Sequence, residues 1–144
     1  NADLANGLGN FAARVLTLAS DAKLRIDAND AKFDKVVEEK IKETKDSVSQ
    51  KIQEFKLNEA LESLWGLIHF GDQYVNEKKP WEKQLTINQR QATIFNLIVI
   101  LDNVAGLLLP FLPETSGKIT NSIKLEKGIL TAKKIQNLFP RLEK

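Results

Sequence analysis

A chain of 144 residues, 42% apolar and 28% charged, is long enough to bury a real core and too apolar to stay disordered. Its formal net charge of only +2 excludes a globally basic nucleic-acid binder, so any polyanion would have to be met by a local patch. The absence of cysteine excludes disulfides, thiolate metal sites and cysteine nucleophiles, and suits a reducing cytoplasm.

The opening Asn1-Ala2-Asp3-Leu4 has neither the basic stretch nor the apolar run of an export signal, and a start without Met suggests a fragment or a processed chain. From there Leu4, Leu8, Phe11, Val15 and Leu18 recur every three or four residues, which predicts a helix ending near Ser20-Asp21. Asp3, Asn6, Asn10 and Arg14 fall on another face of the same helix. Phe33 to Phe55 reads as a second, heavily charged helix with a thin apolar stripe of Val36, Val37, Ile41, Val48 and Ile52. Its acidic residues lie among lysines, as on a solvated outer face.

A third helix is expected from Leu57 to Glu77, with Leu61, Leu64, Trp65, Ile68 and Tyr74-Val75 facing inward. Pro80 limits it and predicts an extended Lys79, because proline pushes the preceding residue away from α geometry. Thr86 and Gln89 have the spacing of a capping box opening a long helix that breaks near Pro110. The apolar stretch from Ile94 to Leu112 is interrupted by Asn96, Asp102, Asn103 and Pro110, which favours a buried core helix over a membrane span. Pro113 suits the first turn of a short helix through about Ile123. Residues from Gly128 to Lys144 read as a non-helical tail. The expected fold class is all-α: one domain over 1–144, a bundle of about five helices, with 128–144 as an extended tail.

The search for a catalytic centre returns negatives. His69 is the sole histidine and sits within a helical segment, where a structural role outweighs that of a base. Ser116-Gly117-Lys118 fails as a phosphate loop, since Leu112 and Ile119 stand where a glycine and a Ser or Thr are required. No catalytic, cofactor-binding or metal-binding residue is expected in this chain.

Lys78-Lys79-Pro80-Trp81 carries the clearest binding signal. Trp81 either folds back over the bundle or serves as a platform for an unpaired base, fixed by Pro80 and flanked by cations for phosphates. Asn10 and Arg14 project from one helix face and offer the donors and acceptor that could read a base edge; the alternative is an exposed face with no specific contact.

Four blocks in order resemble the methionyl-tRNA synthetase family. They are Asn1-Ala2-Asp3-Leu4 with Gly7-Leu8-Gly9-Asn10-Phe11 and Arg14; Tyr74 to Trp81; Leu109-Pro110-Phe111-Leu112-Pro113-Glu114-Thr115 with Lys118-Ile119; and Leu138 to Glu143. The resemblance implies an anticodon-binding helix bundle recognising the CAU anticodon of methionine tRNAs. Trp81 would stack on the wobble cytosine, Pro80 would shape its approach, and Asn10 and Arg14 would read anticodon bases. Charge and proximity add Lys78, Lys79 and Arg90 as phosphate contacts. Asp72, Asn76 and Glu82-Lys83-Gln84 depart from the family pattern around the tryptophan.

The same resemblance assigns ATP, magnesium and zinc to a catalytic region absent from this chain, which would join methionine to tRNA. It also implies that the tail from Gly128 packs on that region, that the parent is cytoplasmic, and that neither membrane nor DNA is a partner. Rival readings are the anticodon domain of another class I synthetase and a helical protein-interaction module.

Overall fold

Apolar residues at helical spacing need a partner surface, and in a computed structural model they find it in one another; it describes residues 2–21, 26–27, 32–126 and 128–134. Five helices are present: α1 (Ala2–Asp21), α2 (Lys35–Gln53), α3 (Leu57–Lys78), α4 (Ile87–Leu108) and α5 (Pro113–Ser122). Each lies close to its expected bounds. The fourth helix is the hub, touching the other four. It is long and apolar enough to cross a membrane by composition. Here Ile94, Leu97, Ile98, Leu101, Val104 and Leu108 are instead buried against neighbouring helices. It is a core helix.

Asn96, one of the polar residues that interrupt α4, has structural work. Asn96 is buried; its side-chain oxygen accepts from the Asp34 backbone N–H at 2.8 Å, and its amide donates to the Lys32 and Ala92 carbonyls at 3.0 and 2.7 Å. It therefore fixes the segment entering α2. The Ser116 hydroxyl donates to the Ala105 carbonyl at 2.6 Å and ties α5 to α4. The Thr86–Gln89 capping box forms as expected, with bonds of 3.1 and 2.9 Å.

In α2, Val37, Ile41, Thr44 and Val48 are buried, but Val36 is 58% exposed and leaves the expected stripe. Adjacent residues on a helix are about 100° apart, so Val36 and Val37 cannot both face inward. The cap at Asp34, whose carboxylate accepts from the Val36 N–H at 3.3 Å, fixes the choice.

Two close approaches join α1 to α3. A Cβ on Gly7 would collide with the Trp65 ring, and one on Gly71 with the Phe11 ring. The helices can meet this closely only because those positions are glycine. This seam sets the height at which α1 presents its polar face.

The all-α expectation omitted a small antiparallel sheet, β1 (Ile26–Asp27), β2 (Ile123–Glu126) and β3 (Ile129–Ala132), in the order β1-β3-β2. Leu125 and Ile26 both pair with Leu130, and Gly128, with φ 80°, turns β2 into β3. The part of the expected tail at 129–132 is thus a central strand. A two-residue strand joined to a distant hairpin leaves no periodicity to detect. Residues 135–144, with the Leu138–Glu143 block, lie outside the described residues.

Lys79 also departs from expectation. It is left-handed (φ 46°, ψ 63°) rather than extended, and its N–H donates to the Val75 carbonyl at 2.9 Å. The helix needs a residue in that conformation to reverse the chain into Pro80. For a residue with a side chain this costs about 1–2 kcal/mol.

Candidate nucleic-acid interface

The α1–α3 seam brings the polar face of α1 against Asp72 and Asn76 of α3. Arg14 donates from Nη2 to the Asn76 side-chain oxygen at 3.0 Å. Its guanidinium carbon also lies 5.4 Å from the centre of the Trp81 ring, a cation–π arrangement. Asn10, one turn earlier on α1, is exposed. The structure therefore brings Arg14, Asn76 and Trp81 together, with Asn10 on the same helix face as Arg14.

Trp81 does not fold into the core. Pro80 is buried and Trp81 is 47% exposed. The turn between α3 and α4 is held from α4 by Arg90, whose Nε donates to the Pro80 carbonyl and whose Nη2 donates to the Glu82 carbonyl, both at 2.8 Å. The Glu82 N–H closes on the Lys79 carbonyl at 3.0 Å. Arg90, expected among the phosphate contacts, thus spends two of its donor groups inside the protein. Lys78 and Lys79 are exposed, and the Lys78 ammonium sits 5.7 Å from the centre of the Tyr74 ring.

The surrounding electrostatics follow from burial. Desolvation holds the Asp72 carboxyl above the usual aspartate range, with Arg14 and His69 pulling the other way. Burial likewise pushes the Tyr74 phenol above its ordinary value, helped by the Asp34 carboxylate, which accepts its hydroxyl at 3.3 Å. Tyr74 stays a neutral donor at any ordinary pH. His69 is exposed and packs edge-on against Trp65, ring centres 4.5 Å apart. Among the described residues no group of three His, Asp or Glu could hold a metal ion.

Reasoning from sequence missed Asn76 as the partner of Arg14, and the link from Tyr74 through Asp34 to Asn96. A signal for the first existed. Asp72 and Asn76 are four apart on α3, as Asn10 and Arg14 are on α1, so two polar patches of equal spacing were available to meet. The second joins three elements and has no local signature.

A polar fork and an aromatic face exposed at the end of a helix bundle suit an unpaired base, and the sequence profile described as the anticodon-binding domain of tRNA ligases matches residues 34–141. The chain belongs to that family. Among similar proteins, a methionine–tRNA ligase from Pyrococcus furiosus is 32% identical over 88% of the chain and 18% of its own length. One from Clostridium acetobutylicum is 30% identical over 88% of the chain and 20% of its length. The chain thus spans about a fifth of the length of the curated relatives it matches. The free-state crystal structure of Mycobacterium tuberculosis methionyl-tRNA synthetase superposes on the whole chain with a TM-score of 0.81 at 22% identity, and the chain covers 33% of it. At that identity the likeness concerns the fold, and it includes α1, which the family profile does not reach.

Proposed function

We propose that this chain is the part of a methionine–tRNA ligase that reads the CAU anticodon of methionine tRNAs. Trp81 stacks on the wobble cytosine, Asn10 and Arg14 hydrogen-bond base edges, and Pro80 sets the direction of the indole. The observation that carries this proposal is the Arg14–Trp81 pair. A flat apolar face and a forked donor, the two things an unstacked base requires, lie 5.4 Å apart on separate elements. Lys78 and Lys79 flank the turn and meet phosphates, while Arg90 acts by holding the turn. On this proposal the parent's catalytic region is the second partner. It uses ATP, magnesium and zinc in the cytoplasm to join methionine to tRNA, and this chain performs no chemistry.

The test is a titration of the chain with a CAU anticodon stem-loop and a wobble-changed control, repeated with Trp81→Ala at one fixed salt concentration. We expect tighter binding to CAU and a loss of about 1–3 kcal/mol in the variant, the usual size of base–aromatic stacking. Equal affinity for both loops, unmoved by Trp81→Ala, would overturn the assignment.

A further inference from the structure

On the far side of the α3 C-terminus from Arg14 lies a groove of about 490 Å³ between the segment entering α2, the end of α3 and the start of α4. Clefts that take small organic groups run from roughly 300 to 1,000 Å³, so one nucleotide fits. Its charge is unbalanced. Lys32, Lys35 and Lys78 line it against a single carboxylate, Asp34. That carboxylate is already occupied, accepting from the Val36 N–H and the Tyr74 hydroxyl at 3.3 Å each. Among the described residues none of the three lysines forms an ion pair. Glu77 lines a neighbouring depression of about 170 Å³, which shares Asp34, Tyr74 and Lys78 with the groove.

The walls offer what a nucleoside needs. Phe33 and Tyr74 supply aromatic surface, and Phe33 remains partly exposed even though Phe95 meets it edge-on with ring centres 6.3 Å apart. Thr93 lines the groove, and its hydroxyl makes no hydrogen bond among the described residues. Since no buried side-chain polar atom among them lacks a partner, that hydroxyl is open to solvent and to a ligand there. Gln89 uses its oxygen in the capping box and keeps its amide protons for a partner. The groove also continues the turn that carries Trp81, since Lys78 precedes that turn and Leu85 follows it, and both line the cavity.

We propose that this groove takes a second, phosphate-bearing nucleotide of the same RNA strand, its phosphate held by Lys32, Lys35 and Lys78 and its ring laid against Phe33 and Tyr74. The proposal rests on the anticodon reading above and extends it to the other side of α3. A free carboxylate would satisfy the lysines but would leave the aromatic wall and the Thr93 hydroxyl unused, which favours a nucleotide over an acidic peptide.

The experiment is an NMR titration of the chain with the CAU stem-loop, following the Trp81 indole N–H for the anticodon patch. The Thr93 amide and the Gln89 side-chain amide report the groove. The titration is repeated with the double variant Lys32→Ala/Lys35→Ala, whose replaced side chains are exposed, and affinity is measured over a salt series. We expect all reporters to move in the native chain. In the variant the Trp81 response should persist and the groove response should fade. The log–log salt slope should shrink by about 0.7 for each phosphate that the variant no longer neutralises. A moving Trp81 with silent groove reporters would overturn the groove proposal and leave the anticodon reading standing. Groove shifts and a salt slope unchanged in the variant would overturn phosphate binding there. Silence at every reporter would overturn both.

Discussion

The two turns at the ends of α3 solve the same geometric problem with different means. Between α2 and α3, the Lys56 N–H reaches the Lys51 carbonyl at 2.8 Å and the Phe55 N–H reaches that of Ile52 at 3.0 Å, a Schellman closure complete within the backbone. Phe55 sits at its left-handed position with φ 62° and is 90% exposed. Between α3 and α4, Lys79 holds a similar conformation at φ 46°, but the turn is longer and relies on the Arg90 guanidinium from α4. The first turn presents a side chain almost free of neighbours, whereas the second sets Trp81 beside Arg14. Left-handed backbone is thus common to both turns, and what distinguishes them is where each sends the side chains that follow it.

Five substitutions bear on that contrast. The largest effect belongs to the seam that sets Arg14 opposite the second turn. Gly71→Ala should lower stability in urea unfolding by about 3 kcal/mol, because the new methyl must displace the buried Phe11 ring. An unchanged midpoint would mean that α1 is not held by this contact. Next comes Arg90→Ala, which strands two carbonyl partners and should cost about 2 kcal/mol. It should also red-shift tryptophan fluorescence as Trp81 loses its fixed orientation, an effect that no change at the first turn should produce.

Phe55→Gly should act in the opposite sense, stabilising the protein by about 1 kcal/mol, since glycine relieves the left-handed strain and the exposed ring has little packing to lose. Lys79→Gly sharpens the comparison further. Its stability gain should be smaller than that of Phe55→Gly, and RNA affinity should fall only in the Lys79 variant. The smallest effect concerns pH. The folded-state pKa of Asp72 lies above its unfolded value, so its ionisation disfavours the fold. Asp72→Asn should be the more stable form near neutrality, and the gap should close as pH falls below the usual aspartate range. A gap that widens in acid would reverse the sign.

The contrast between the turns also shows which features the sequence could reveal. Helices α1 to α5 follow from local periodicity and from single markers such as the Thr86–Gln89 box and Pro113, because each depends on residues within a few positions. The Pro80-Trp81 segment was visible as unusual chemistry, yet its neighbours could not decide whether the indole would be covered. That outcome depends on the Gly7–Trp65 and Phe11–Gly71 contacts, which bring α1 to the turn. Lys79 ran against the preference of a residue before proline because helix closure outweighed it. The pairing of Ile26 with Leu130 joins distant stretches of chain that no window of sequence contains. The inner role of Arg90, though its partners lie only eight and ten residues away, depends on how the turn folds back onto α4.

The central claim is that Arg14 and Trp81 act as one recognition unit. A double-mutant cycle of Arg14→Ala and Trp81→Ala, read as affinity for the CAU stem-loop, tests it most directly. Groups that share a ligand and touch each other should show a coupling of about 0.5–3 kcal/mol, so we expect the double variant to lose less than the two single losses combined. Strict additivity, or affinity that neither substitution changes, would contradict the claim.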